Sequence, residues 1–182
     1  MYHQKTCLIK SSSSYQNIYI FPDRYLAAAL RGNWQSAKAI LEADRGSLTE
    51  TRESVLHIAF TSKHTAFVKD VVRFLTREEL QRPNVDGDTA LCFAAKSGTV
   101  TIAKEMVARN YSLPLIRSNE ERTPLHIAAK LGNREMTSYL FSVTDFEHLS
   151  TDERMEILMA TITNDMYGMS HISVTCEIQA IN

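Results

Sequence analysis

The amino-acid sequence predicts an all-α protein built from stacked helix–turn–helix pairs, and three observations support that prediction. A motif recurs along the chain: "DRYLAAALRGN" begins at residue 23, "SVLHIAFTSKH" at 54, "TALCFAAKSGT" at 89 and "TPLHIAAKLGN" at 123, so the spacings are 31, 35 and 34 residues. A second segment with apolar residues at helical spacing follows each copy. Glycine closes the motif at Gly32, Gly98 and Gly132, where a helix can end in the left-handed conformation. Self-similarity at a fixed period indicates a linear array.

Composition limits the classes of protein and partner. The 182 residues include 44% hydrophobic and 23% charged residues, as in a soluble globular protein. Twenty basic against 21 acidic residues give a net charge of −1, so we expect no nucleic-acid partner. Three cysteines, odd in number and far apart, indicate free thiols in a reducing compartment. No segment approaches the roughly 20 apolar residues that cross a bilayer, and we therefore expect a cytoplasmic protein without a membrane span in this chain.

The chain divides into three parts. Residues 1–22, with the serine run Ser11 to Ser14, are predicted to be a mobile extension. Residues 23–168 contain about four full copies of the repeat and a truncated fifth. After Gly168 the helical pattern stops, and residues 169–182 form a divergent tail with strand-like alternation.

The first helix of each copy is clearest in the fourth. Thr123 is a good N-cap, and Pro124 suits the first helical position, where no N–H is needed. Leu125, Ala128 and Ala129 then fall on one face. Gly132 is predicted to end the unit in the left-handed conformation.

A second helix follows in each copy, with one apolar stripe. The stripes are Ala37, Ile40 and Leu41; Phe67, Val68, Val71 and Val72; Ile102, Ala103, Met106 and Val107; and Met136, Leu140 and Phe141. No pair of helices is apolar enough to form a core alone, so each pair must bury its face against the next.

Two capping-box patterns mark further helices. "TREE", from Thr76 to Glu79, predicts a short helix between copies two and three. "STDE", from Ser150 to Glu153, precedes a helical stripe at i, i+3, i+4 and i+7, namely Met155, Leu158, Met159 and Ile162. We interpret this stripe as the first helix of the fifth copy, which lacks a second helix to cover it. Either the tail folds back over it or a second molecule does, and the sequence favours self-association.

These motifs resemble the ankyrin repeat, whose period of about 33 residues carries T-P-L-H-x-A at the start of the first helix. The resemblance implies an ankyrin-repeat solenoid with short hairpin-like fingers between the helix pairs. "YLAAALRGNW", "GDTALCFAAKSG" and "LPLIR" further resemble plant ankyrin proteins of the membrane-associated PGG-domain group. That resemblance implies a role in stress or defence signalling, with cytosolic repeats before membrane-anchoring helices. The chain as given lacks such helices, which predicts a truncated or spliced form.

The fingers and the first helices depart from the family pattern at several positions. Gly87 keeps the hairpin glycine, whereas Arg52 and Glu121 stand at the matching places, so two fingers must turn without glycine. Cys92 replaces the histidine of the first helix.

His57, Cys92 and His126 occupy equivalent positions in successive copies and raise the question of a metal site or a nucleophile. Zinc needs ligands at about 2.0–2.3 Å, but stacked helices lie roughly 8–10 Å apart, so equivalent side chains do not converge. The resemblance implies instead that the histidine bonds to the threonine and the neighbouring backbone. We interpret all three as scaffold, and "DGD", from Asp86 to Asp88, as a finger tip and not a calcium loop, because later EF-hand ligands are missing.

The sequence therefore predicts a non-enzymatic scaffold without cofactor or metal, which binds a protein partner through its concave face. The alternative is a soluble fragment or splice form of a membrane-anchored ankyrin protein that regulates or assembles with its full-length relative. An enzyme is not expected, since no set of acid, base and nucleophile is present. From the family register, the predicted contact residues are Leu30, Arg31, Thr61, Ser62, Val85, Asp86, Asp88, Lys96, Ser97, Asn119, Glu120, Arg122, Lys130 and Leu131.

Overall fold

The structure is a computed structural model that describes residues 24–43, 55–61, 64–84 and 86–166, without the side chains of Val55 and Thr61. The predicted extension 1–22, Arg52 and the tail 169–182 lie outside these ranges. Within them the chain is helical and contains no strand, which confirms the all-α prediction. The α-helices are α1 (24–30), α2 (Trp34–Ala43), α3 (Val55–Thr61), α4 (Thr65–Phe74), α5 (Arg77–Leu80), α6 (Ala90–Ser97), α7 (Val100–Arg109), α8 (Pro124–Lys130), α9 (Arg134–Val143) and α10 (Thr151–Thr163); 3₁₀ turns span Leu113–Leu115 and Phe146–His148.

The helices stack in two layers. Within a unit, α3 packs against α4, α6 against α7 and α8 against α9. Between units, the first helices form one layer through the contacts α3–α6, α6–α8 and α8–α10, and the second helices form another through α2–α4, α4–α7 and α7–α9. Each unit therefore contacts its neighbours along the chain, as expected of a linear array.

The core lies between these layers, and α8 shows why the sequence forms it. The Thr123 side chain accepts a hydrogen bond from the His126 amide at 3.4 Å, and Pro124 occupies the first turn. Leu125, Ala128 and Ala129 are fully buried, as their spacing predicts. Alanine at two of these positions lets neighbouring first helices approach closely, so the face is suited to stacking.

Polar side chains link the ends of α1, α6 and α8 to the unit that follows each of them, and we call His64, Asn133 and Asn164 the interrepeat bridges. Asn133 Nδ2 donates to the Ala95 carbonyl at 2.7 Å, and Asn164 Nδ2 donates to the Ala129 carbonyl at 2.9 Å. His64 Nε2 lies 3.1 Å from the Leu30 carbonyl. They satisfy carbonyl groups that a helix end leaves without an intrahelical partner.

The glycines beside these bridges adopt the predicted conformation, with φ of +64° at Gly32, +69° at Gly98 and +72° at Gly132. Left-handed backbone ends the helices there and turns the chain toward the following helix.

Both capping boxes are confirmed. Thr76 and Glu79 exchange bonds at the start of α5, and Ser150 and Glu153 do so at the start of α10. Glu153 also receives a bidentate contact from Arg117, whose Nε and Nη2 donate at 2.8 and 3.0 Å. This contact joins the start of α10 to the segment that precedes α8.

The apolar stripe predicted on α10 is divided in the structure. Leu158 is buried, but Met155, Met159 and Ile162 are 47%, 56% and 43% exposed. The helix instead turns Ile157 and Thr161 toward the core, where both are fully buried. Within the described residues α10 packs against α8, and this contact covers only part of the stripe.

Candidate functional site

The equivalent residues His57, Cys92 and His126 each contact a different group. His57 Nε2 lies 3.0 Å from the Asp88 carbonyl of the next unit, so the ring donates there. Cys92 Sγ lies 3.5 Å from Thr89 Oγ1. Within the described ranges, no three histidine, cysteine or acidic side chains form a group that could hold a metal ion.

The ring of His126 contacts a different group from the one that the family resemblance implies. The backbone amide of His126, not its ring, donates to Thr123 Oγ1. The ring Nδ1 lies 3.4 Å from Glu156 Oε2 on α10. Burial lowers the pKa of His126 and raises the pKa of the Cys92 thiol, so both side chains favour their neutral forms and serve the packing between units.

The finger before α6 is closed by its own polar groups. Asn84 Oδ1 accepts from the amides of Asp86 and Asp88, each at 2.9 Å, and Gly87 turns with φ of +76°. The Asp88 carboxylate accepts a hydrogen bond from Lys96. In a calcium loop the metal ion would neutralise this carboxylate, whereas here the lysine does so.

The finger before α8 is built in a similar way. The Ser118 amide donates to the Arg122 carbonyl, and the Glu121 amide donates to the Ser118 carbonyl, both at 3.0 Å. Glu121 has φ of +55°, as predicted for a finger that turns without glycine. The Asn119 amide approaches the Asp86 carbonyl at 3.4 Å, which joins this finger to the preceding one.

These two fingers and the ends of α6 and α8 enclose a cleft of about 600 Å³, the first cleft. Its lining includes eight of the predicted contact residues: Asp86, Asp88, Lys96, Asn119, Glu120, Arg122, Lys130 and Leu131. Ser118 and Ile127 also line it. Sequence reasoning missed them because Ser118 precedes the finger tip and Ile127 has the apolar character of a core residue.

The other predicted contact residues lie elsewhere. Leu30, Arg31 and Ser97 are exposed but do not line the first cleft. Ser62, Val85 and the side chain of Thr61 lie outside what the structure describes.

Some of the charges that line the first cleft are paired within the protein. Asp88 is only 5% exposed, because its carboxylate is turned inward to Lys96. Glu120 pairs with Arg122. Asp86 and Lys130 are exposed, and no ion pair involves either of them within the described residues.

A second cleft of about 620 Å³ lies between α8 and α10. Arg122 and Lys130 line both clefts, so the two form one groove along the first helices. The remaining lining residues of the second cleft, none of them among the predicted contact residues, are His126, Asp152, Met155, Glu156, Met159 and Ala160. Met155 and Met159 belong to the apolar stripe that the sequence predicted on α10, and that stripe was the signal from which this cleft could have been found.

None of the helices in the described ranges is both long and apolar enough to cross a bilayer.

Comparison with known proteins agrees with this architecture. A family model described as ankyrin repeats (3 copies) matches residues 25–113 and 68–152, which together cover more than half of the chain. An ankyrin repeat protein of Rickettsia bellii (strain RML369-C) is 32% identical over 74 residues. That alignment covers 37% of this chain and 44% of the relative, so this chain spans less than half of that protein's length. The chain belongs to the ankyrin-repeat family.

Proposed function

We propose that the chain is a non-enzymatic scaffold that binds a segment of another protein in the first cleft. Ankyrin repeats generally mediate protein–protein interaction, and repeat arrays use extended concave surfaces for binding. The observation that carries the proposal is that eight predicted contact residues, separated by up to 45 positions in the sequence (Asp86 to Leu131), line one cleft.

The distribution of charge supports a polar protein segment as the ligand. Lys96 and Arg122 are already paired with Asp88 and Glu120, so those four side chains form the walls of the first cleft with their charges satisfied. Asp86 and Lys130 are available to a partner, one acidic and one basic. Complementary charges of this kind give specificity and speed association more than they add affinity.

A pull-down from cell extract, with proteins identified by mass spectrometry, tests the proposal. The variant Asp86→Lys with Lys130→Glu reverses both available charges and keeps the net charge. Lys96 is left unchanged, because its loss would leave the buried Asp88 carboxylate without its cation. The matched control is Glu135→Lys with Arg82→Glu, two exposed residues that line neither cleft.

Proteins captured by wild type and by the control, but lost from the cleft variant, are the expected result. The helical circular dichroism spectrum should be the same for all three proteins. Partners that are retained by the cleft variant would place the interface elsewhere on the array.

We also propose, from the resemblance of "YLAAALRGNW", "GDTALCFAAKSG" and "LPLIR" to the plant PGG-domain group, that the scaffold works in stress or defence signalling. The alternative function, a soluble form that regulates or assembles with a membrane-anchored relative, rests on the same resemblance. Sequencing the transcript beyond the Gly168 codon separates them: a retained intron there would favour the alternative.

Self-association is a second candidate function, because an exposed apolar side chain on α10 could pack against a second copy of the chain. Ile162 is 43% exposed and lines neither cleft. Leu158 is unsuitable for testing it, since a buried residue changed to lysine would unfold the helix. Ile162→Lys is the better variant. Sedimentation should then show a wild-type dimer and a monomeric variant, and a wild type that stays monomeric at the highest attainable concentration would rule the candidate out.

A further inference from the structure

We infer that the bound segment continues from the first cleft into the second, where a large apolar side chain packs on Met155 and Met159 beside an acidic side chain that pairs with Lys130. This inference rests on the proposed function and names the chemistry of the partner.

The two clefts are parts of one path. Arg122, before α8, and Lys130, at its end, line both of them. The fingers border the first cleft, whereas α10 forms the far wall of the second. A segment that lies along the first helices therefore meets the third unit at Asp86, the fourth at Lys130 and α10 last.

The distribution of charge in the groove places the partner's acidic side chain beside Lys130. Arg122 is paired with Glu120, whereas no ion pair involves Lys130 within the described residues. The acidic groups of the second cleft do not pair with Lys130 within the described residues: Glu156 Oε2 lies 3.4 Å from the neutral ring of His126, and Asp152 lies in the first turn of α10, where the helix dipole favours a negative charge. Lys130 is thus the groove cation left for a partner.

The exposed methionines of α10 place the partner's large apolar side chain at that helix. Met155 and Met159 are 47% and 56% exposed and lie four residues apart, on one side of the helix. Ile127, 32 residues before Met159 and at the equivalent place in α8, is only 8% exposed. Leu131 in the first cleft is 55% exposed, but the second cleft presents two exposed apolar side chains next to each other, and methionine adapts its shape to varied partners.

The partner that fits this groove carries a basic residue, an acidic residue and a large apolar residue, in that order from the third unit to α10. The free charge Asp86 selects the first, Lys130 the second and the methionine pair the third. Electrostatic complementarity thus fixes the direction of the segment as well as its composition.

Selection from a library of random peptides displayed on phage tests the inference directly, with the full chain as the target. Enriched peptides should contain an acidic residue near a large aliphatic or aromatic one. Their affinity, measured with synthetic peptides, should fall about tenfold or more for Met155→Ser with Met159→Ser, as expected when an apolar contact is lost. Ile162→Ser is the matched control and should bind within about twofold of wild type, since Ile162 lines neither cleft. Lys130→Glu should select basic residues in place of acidic ones.

The outcomes separate this inference from the proposed function. Peptides that are weakened by Asp86→Lys with Lys130→Glu but not by the methionine changes would overturn the inference and keep the first cleft as the site. Peptides that are insensitive to both sets, or no enrichment at all, would overturn the inference together with the proposed function. A wild-type dimer that Met155→Ser with Met159→Ser converts to monomer would show that a second copy covers the methionines, which also overturns it.

Discussion

Asn119 occupies the space that a side chain on Gly87 would need. A Cβ atom placed on Gly87 would lie 2.3 Å from Asn119 Oδ1 and 2.4 Å from the Asn119 backbone nitrogen. The contact holds the two fingers together at the rim of the first cleft, and it requires glycine both for space and for a φ of +76°.

Gly87→Ala should therefore destabilise the protein by about 2 kcal/mol or more, since the left-handed conformation alone costs about 1–2 kcal/mol and the overlap adds to it. Gly98→Ala is the matched control. Its φ is +69°, but the nearest atom, Asn133 Oδ1, is 3.4 Å away, so only the backbone cost of about 1–2 kcal/mol applies. Urea unfolding of both variants measures the difference, and equal losses would show that the fingers can separate freely.

Truncation of the stacking face should unfold the array more strongly than changes at the fingers. Leu125 and Ala128 are fully buried on α8, which contacts α6, α9 and α10. Leu125→Ala should cost about 2–5 kcal/mol, and Ala128→Glu at least as much, because it buries a charge between helices. Thermal melting within a degree or two of wild type, for both variants, would contradict the position of α8 in the core.

Local sequence signals predicted most of the fold because they act within a few residues. Thr123 with Pro124, the two capping boxes and the left-handed Gly132 all form where the sequence placed them. A repeated motif then sets the order of the units, and the helical stripe of each unit sets its buried face.

The contacts between units could not be predicted in the same way. Asp88 was expected at an exposed tip, but Lys96 draws its carboxylate inward. The His57 ring donates to a carbonyl 31 residues away, in the next unit. On α10 the spacing of apolar residues defined a face, but which part of it is covered depends on how many neighbours the helix has. These features depend on how units stack, which spacing along one chain does not give.

Acid should weaken the link between Arg117 and Glu153. The Arg117 guanidinium holds the pKa of Glu153 below its ordinary value of 4.5. Because the folded-state pKa is the lower one, the stabilisation is fully present above that ordinary value and is lost as the pH falls through the folded-state pKa. Glu153→Gln should therefore lower the melting temperature at neutral pH, and its difference from wild type should shrink at acid pH.

Melting curves from about pH 7 down to about pH 3 measure this effect. Glu147→Gln is the control, because Glu147 is exposed and its carboxylate forms no ion pair within the described residues. It should melt close to wild type throughout the range. A gap between Glu153→Gln and wild type that stays constant into acid would mean that the ion pair contributes nothing to stability.

The thiol of Cys92 should be unreactive in the folded protein. Its side chain is fully buried and burial raises its pKa, so both access and the reactive thiolate are suppressed. In a Cys7→Ser, Cys176→Ser background, where Cys92 is the one remaining cysteine, Ellman's reagent should react at least about a hundredfold more slowly in buffer than in denaturant, because the core must open first. Similar rates in the two solvents would place Cys92 at the surface and reopen the question of a reactive site.

The interrepeat bridges make the ends of α1, α6 and α8 depend on the unit that follows each of them. Asn164 Nδ2 donates to the Ala129 carbonyl at the end of α8 and also to Ala160 in α10, so fraying of α10 withdraws a partner from α8. Asn133 does the same for Ala95 and α6. Disturbance at the last unit can thus be transmitted from α10 to α8 and from the fourth unit to α6, and a partner that clamps α10 would slow local opening in units it does not touch.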